Sequence, residues 1–325
     1  MAPPGAAPGY PPPYGAPPGY PPPPGYGPPG YGYWGQVPDN MGSGRYRAQG
    51  IAELIDSAFT LYRRNLRLML SIGAIPIVLK SVVEIVLAMV LIGPIINGSL
   101  VAPSGRLSNT AAATFIGGFA VYIVVVLVID FVFQALLQGT LTQAVSQRYL
   151  GRPTSFGDSF KVGLSRFWPL LGYSGILILV IFVAAIVAVI FALVTIGIGL
   201  LLLIPGAIAL WLVFGGRIAM TIVPCVVVER LGPIAALKRS WALTKGNGWR
   251  GVGFYLITVL VAFILGITFG GISSAFGLSY VLQQVFTAVV TVIVTPFTLI
   301  AYTLYYFDLR IRRENFDLEM LAEQV

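Results

Sequence analysis

From residue 68 to residue 306 long apolar runs alternate with short polar segments, and the run lengths predict the elements. Six runs, near 68–93, 115–145, 170–194, 199–223, 251–270 and 280–306, approach or exceed the roughly 20 apolar residues that carry a helix across a bilayer. Leu170 to Gly216 contains no charged residue and is too long for one crossing, so "TIGIG" (Thr195 to Gly199) is the expected tight turn that folds it back. The expectation is an all-α integral membrane protein, its six transmembrane helices arranged as three hairpins.

Composition agrees with the pattern. The 325 residues are 57% hydrophobic and only 10% charged, against about 25% charged in soluble domains. Residues 1–48 stand apart. They are built from Pro, Gly and Tyr, with few aliphatic groups to bury, and proline blocks regular helix. A disordered tail of polyproline character is expected there, ahead of a membrane domain over 49–325. The tail is either a solvated segment or a tyrosine-rich surface that recruits partners. It has no basic n-region or apolar core of a signal peptide.

Charge placement orients the spans. Of the 20 Lys and Arg, all but Lys80, Arg106 and Arg217 fall before the first span, in 148–166, in 230–250, or after 308. With six spans those segments share one side, and Lys and Arg mark the cytoplasmic side. Both termini are therefore expected in the cytoplasm, which suits a bacterial inner-membrane protein. This placement also turns the net charge of +8 away from a nucleic-acid reading. At the chain's end, "YYFDLRIRRENFDLE" puts Tyr305 and Tyr306 at the expected aromatic belt. Arg310, Arg312 and Arg313 follow, with i,i+4 pairs Asp308–Arg312, Arg310–Glu314 and Arg313–Asp317 supporting an emerging helix.

The polar segments hide a repeat. "DSAFTLYRRNLR", "GDSFKVGLSRFW" and "KRSWALTKGNGW" each carry a small residue before an aromatic: Ala58–Phe59, Ser159–Phe160 and Ser240–Trp241. Their spacing is unequal, so the match lies in content. They predict an interfacial amphipathic helix before each hairpin. Lys238, Arg239, Lys245 and Arg250 are the candidate collar for anionic lipid headgroups; Arg63, Arg64, Arg67, Lys161 and Arg166 belong to the same expected surface.

Inside the spans, Lys80 and Glu84 lie four apart on one face. Asp130 begins a polar stripe with Gln134, Gln138 and Thr142, and Gln283, Thr287, Thr291 and Thr295 form another. Depth makes Lys80 the expected partner of Asp130, because Arg217 falls near the inner interface. These charges form either a neutralised structural pair or a polar site for a substrate, ion or proton. Pro76, Pro205 and Pro296 can kink three spans.

At "VPCVVVERLGPIAALKRSWALTKGNGW" and "LYYFDLRIRRENFDLE" the chain resembles the membrane domain attached to some bacterial glycerophosphoryl diester phosphodiesterases and also found alone. The pattern is carried by Pro224, Glu229, Arg239, Ser240 and Trp241, then Asp308, Arg310, Arg312, Glu314 and Asp317, with Phe307 as a departure. The tail is similar to that of actinobacterial proline- and glycine-rich membrane proteins. The resemblance implies a membrane module without settled chemistry, since the phosphodiesterase works through a separate soluble barrel with paired histidines. This chain has no histidine, which excludes His-based catalysis and His metal sites. One cysteine, Cys225, permits no intramolecular disulfide. The expected protein is non-enzymatic and without a cofactor, a scaffold or lipid-associated module partnered by the bilayer, by anionic lipids and by other envelope proteins. A transporter or channel-like protein using Lys80, Glu84 and Asp130 is the alternative.

Overall fold

The structure is a computed structural model, and it describes residues 47–92, 109–195, 199–277 and 279–316, all within the compact unit Ser43–Val325. The segment up to residue 46, with its expected disorder, lies outside the described residues, as do Arg106 and Asp317. Among the described residues the regular elements are all helices.

The first is α1 (Ile51–Arg64), followed after Asn65 by α2 (Leu66–Leu87), which runs on into a π-helical turn, Ala88–Ile92. Next come α3 (Asn109–Tyr149), the short α4 (Phe156–Ser165) and α5 (Phe167–Val194). Leu200–Phe214 forms α6, a second π-helical turn spans Gly215–Ala219, and Met220–Val227 forms α7. The chain ends in α8 (Pro233–Thr244), α9 (Gly248–Ala275) and α10 (Tyr280–Glu314). Among the described residues six helices are long and apolar enough to cross a membrane: Leu66–Val90, Ile116–Tyr149, Phe167–Val194, Leu203–Val227, Gly248–Ile272 and Tyr280–Glu314.

Local chemistry sets the boundaries of the short helices. Glu53 reaches back to the Gly50 amide at 2.9 Å to start α1. Ser155 and Asp158 form a reciprocal capping box on α4, the Asp158 amide donating to Ser155 Oγ at 3.2 Å. Arg230 adopts a left-handed φ of 56°, and Gly232–Pro233 then opens α8 with proline in its first turn. Between α5 and α6 the Thr195 hydroxyl accepts from the Gly199 amide at 3.0 Å, within the segment expected to turn. In each of the three repeated segments the small residue, Ala58, Ser159 or Ser240, is fully buried. The aromatic after it is half-buried or exposed. The small residue is thus the point where each short helix meets the bundle, because only a small side chain allows that approach.

The core occupies one end of the bundle. One cluster joins α1, the start of α2, the end of α3 and the start of α9 to Leu299, Ile300, Leu304, Tyr305 and Leu309 of α10. The other joins the start of α5, α7 and α8 to Tyr306, Phe307, Ile311 and Phe316. From Leu299 to Leu309 α10 is therefore buried almost all round, which is how a helix behaves when it forms the axis of a fold. This corrects the aromatic-belt reading: Tyr305 and Tyr306 are fully buried. Tyr305 stacks on Phe254 at 5.1 Å, and Phe307 stacks on Tyr149 at 4.7 Å. The opposite ends of α3, α5, α6, α9 and α10 expose rows of apolar side chains, Ile123, Ile181, Leu210, Phe263 and Val289 among them.

Glycines hold the core end together by backbone contact. A methyl group added at Gly251 would collide with the Gly216 carbonyl oxygen and stand 2.8 Å from the Tyr305 hydroxyl. One added at Gly73 would stand 3.1 Å from Cγ of Pro296, where α2 crosses α10. Forcing such a group into a packed site costs about 1–3 kcal/mol. Gly251→Ala should therefore lower the thermal midpoint in detergent. Gly266→Ala, on the same helix with nothing within 4 Å, should leave it unchanged or raise it slightly.

Candidate functional site: two charge networks at opposite ends

The residues of the closing motif converge at the core end. Glu229, past the end of α7, receives the Tyr306 hydroxyl at 2.7 Å and Arg239 Nε at 2.7 Å. The other edge of Arg239 meets Glu314 at 2.5 Å, and Glu314 also pairs with Arg310 at 3.0 Å. Burial opposes the charge on Arg239, and its hydrogen bonds to Glu314 and Glu229 outweigh that, raising its pKa above the usual guanidinium value.

Asp308 centres an adjoining network. Its side chain is only 2% exposed and pairs with Arg250 of α9 and, at 3.0 Å, with Arg312. The Gln49 amide donates to Asp308 at 2.7 Å, while Arg250 and Arg312 donate to the Gln49 carbonyl at 2.6 and 2.7 Å. The backbone of one residue is thus gripped through both its amide and its carbonyl, tying the chain before α1 to α9 and α10. The expected pairs Asp308–Arg312 and Arg310–Glu314 are both present, whereas Arg313–Asp317 lies outside the described residues.

The tripeptide Arg239–Ser240–Trp241 performs three separate tasks. Arg239 joins the ion network. Ser240 is fully buried with its Oγ 3.1 Å from the Arg217 carbonyl and 3.3 Å from that of Ile218, where the π-helical turn displaces the usual backbone partners. Its oxygen lies 2.5 Å from the Thr221 hydroxyl. Trp241 covers the Arg217 guanidinium at 3.9 Å from the ring centroid. Pro224 is buried within α7. Arg217 therefore lies at the end of the bundle that carries the short helices, where its position along the span predicted it.

The geometry corrects the expected collar. Arg239 and Arg250 are committed to internal carboxylates and the Gln49 carbonyl, because each guanidinium reaches groups of neighbouring helices. Lys238 and Lys245 are exposed, as are Arg63, Arg64, Arg67 and Lys161. Nothing in the sequence marked Gln49, whose contribution is a backbone amide and carbonyl that any residue but proline carries. The Tyr306–Glu229 bond was equally hidden, since the two residues lie 77 positions apart on α10 and in the loop after α7.

The intramembrane charges form the second network. Lys80 Nζ stands 2.5 Å from Asp130 and 3.5 Å from Glu84, joining α2 to α3. Lys80 lies about 21 Å along α2 from Leu66. The site is not sealed: the Lys80 side chain is 30% exposed and that of Asp130 44%. A cavity of about 50 Å³ is lined by Pro76, Ile77, Lys80, Gln134, Thr291 and Thr295 among others. Thr291 and Thr295 also line a groove of about 220 Å³ between α9 and α10. Gln138 receives the Tyr173 hydroxyl at 2.6 Å, so that part of the polar stripe fastens α3 to α5. Among the described residues no three His, Cys, Asp or Glu side chains are placed to hold a metal ion.

Removing a buried charge and leaving its partners unpaired costs about 3–5 kcal/mol. Asp308→Asn should accordingly lower the thermal midpoint sharply and release the segment before α1, seen as faster proteolysis near Arg47. Arg312→Gln should do much less, because that side chain is 32% exposed and Arg250 still holds Asp308. No family model, curated protein or solved structure matches this chain.

Proposed function

We propose that the chain is a non-enzymatic bacterial inner-membrane module that associates with anionic lipid, with both termini in the cytoplasm. In this reading α1, α4 and α8 are interfacial amphipathic helices, each leading into one hairpin. The resemblance to the phosphodiesterase membrane domain fits a module of this kind, which acts by what it holds in place. One observation carries the reading: exposed cations and exposed tryptophans share the end of the bundle that bears the short helices. Arg63, Arg64, Arg67, Lys161, Lys238 and Lys245 are exposed, and so are Trp168, Trp241 and Trp249. Tryptophan favours the headgroup level, and each cation near an anionic surface contributes about 1 kcal/mol.

Purified into mixed phosphatidylglycerol and phosphatidylcholine, the protein should retain phosphatidylglycerol above its share of the mixture. Raising the salt to about 1 M should weaken that enrichment, since screening then acts within about 3 Å. Retained lipid with the composition of the mixture, measured by mass spectrometry of the extracted lipid, would sink the reading.

A second reading is favoured by the cavity beside Lys80. A transporter for a small solute or lipid needs water or ligand to reach that depth. Gln134→Cys tests this, because a thiol reacts with a water-soluble reagent only where it can ionise. Labelling of that variant in membranes is the outcome transport requires, with the buried Cys225 as a silent background. An unreactive thiol leaves the Lys80 network as a structural fastening.

A further inference from the structure

The loop between α8 and α9 reads Lys245–Gly246–Asn247–Gly248, and cations stand against it from two other helices. A methyl group at Gly248 would lie 3.6 Å from Arg217 Nε, and one at Gly246 would lie 3.6 Å from Arg313 Nη2. Both guanidinium groups lie within van der Waals reach of the loop, and Gly246 adopts the left-handed φ of 85° that the turn requires. Lys245, in the same loop, is exposed. Arg217, Lys245 and Arg313 form no ion pair among the described residues, unlike Arg239, Arg250, Arg310 and Arg312 nearby. Positive charge accumulates around one loop while the described carboxylates close by, Glu229, Asp308 and Glu314, are spent on other partners.

Each cation has a different fixture. Arg217 lies against Trp241, and its Nε is buried without an acceptor, so its outer nitrogens are the donors left for a ligand. Arg313 is exposed in the last turn of α10. The amides of the first turn of α9, from Gly248 onward, add the positive end of a 28-residue helix. Trp249 is 86% exposed beside the loop, with Trp241 and Ile234 also exposed on α8. Cations beside exposed aromatic and aliphatic side chains suit a ligand with a charged head and an apolar body.

We infer that Arg217, Lys245 and Arg313 bind the phosphate of a single anionic phospholipid, whose glycerol and acyl chains lie along Trp241 and Trp249. Charge complementarity selects the occupant. Three cations without an ion-pair partner among the described residues attract a phosphodiester and repel the ammonium of a choline headgroup, so phosphatidylglycerol is held over phosphatidylcholine. This rests on the lipid-associated reading above and narrows it from a general basic surface to one built site.

The test uses the full chain in mild detergent, titrated with phosphatidylglycerol and followed by native mass spectrometry, reading the last lipid to leave. Lys245→Gln/Arg313→Gln, which alters two exposed side chains and spares the core, should weaken that lipid's retention on the order of tenfold or more. Adding Arg217→Gln should remove it. Arg63→Gln/Arg64→Gln/Arg67→Gln, which takes three cations from α1 and the start of α2, should leave it in place. Equal retention by the loop variants and the wild type overturns the site. Equal losses from the loop and α1 variants also overturn it, while leaving a diffuse lipid-binding surface standing. Displacement of the lipid by millimolar inorganic phosphate or glycerol phosphate would make it a site for a soluble anion and overturn the lipid assignment. A wild type that prefers neither lipid would defeat this inference and the broader reading together.

Discussion

Asp308 is the point on which the core end depends. A carboxylate with a side chain 2% exposed is tolerated only when its charge is met from several directions, and here two arginines and a backbone amide meet it. The groups that meet it belong to separate parts of the chain: Arg250 begins α9, Arg312 ends α10, and Gln49 precedes α1. Satisfying one buried charge therefore sets the relative position of three segments. Tyr305 stacked on Phe254 and Gly251 pressed on Gly216 become possible only once α9 has been brought to that register.

The adjoining Glu229 network extends the same logic to α7 and α8. Arg239 bridges Glu229 and Glu314, so the loop after α7, the middle of α8 and the end of α10 share one chain of charge-assisted hydrogen bonds. In the same stretch Ser240 closes the backbone gap at the π-helical turn, and Trp241 shields Arg217. Three consecutive side chains act on three different elements, and Lys is a poor substitute for Arg239, because a compact ammonium lacks the planar fork whose two edges face Glu229 and Glu314 here.

The spans were legible because length and apolarity determine them almost alone. The break between α5 and α6 was legible because no single crossing accommodates Leu170 to Gly216. The pairing of Lys80 with Asp130 was legible because depth along a helix scales with residue number. What remained hidden came from helix-to-helix geometry. Tyr305 and Tyr306 read as interfacial by their place beside charges, yet α10 continues as one helix to Glu314 and other elements wrap its end. Arg239 and Arg250 looked like headgroup ligands for the same reason. A basic residue in a juxtamembrane segment faces lipid or carboxylate according to which helix packs above it, and that information is not local.

The two ends of the bundle differ in what holds them. At the core end, ion networks and backbone contacts join α1, α2, α7, α8, α9 and α10. At the far end the apolar side chains of α5 and α6 are mostly exposed, and the Lys80–Glu84–Asp130 cluster is the main polar fastening between α2 and α3. In a bilayer the exposed apolar faces meet hydrocarbon and carry no drive to close, because lipid tails are as apolar as the side chains. Hence the far-end contacts rest on side-chain packing such as Phe269 against Phe286, while the opposite ends are held by ion networks as well. One lysine against two carboxylates keeps that end polar, and the groove beside Thr291 and Thr295 gives it room to hydrate. A bundle anchored rigidly at one face and loosely fastened at the other can change shape only by moving its far ends.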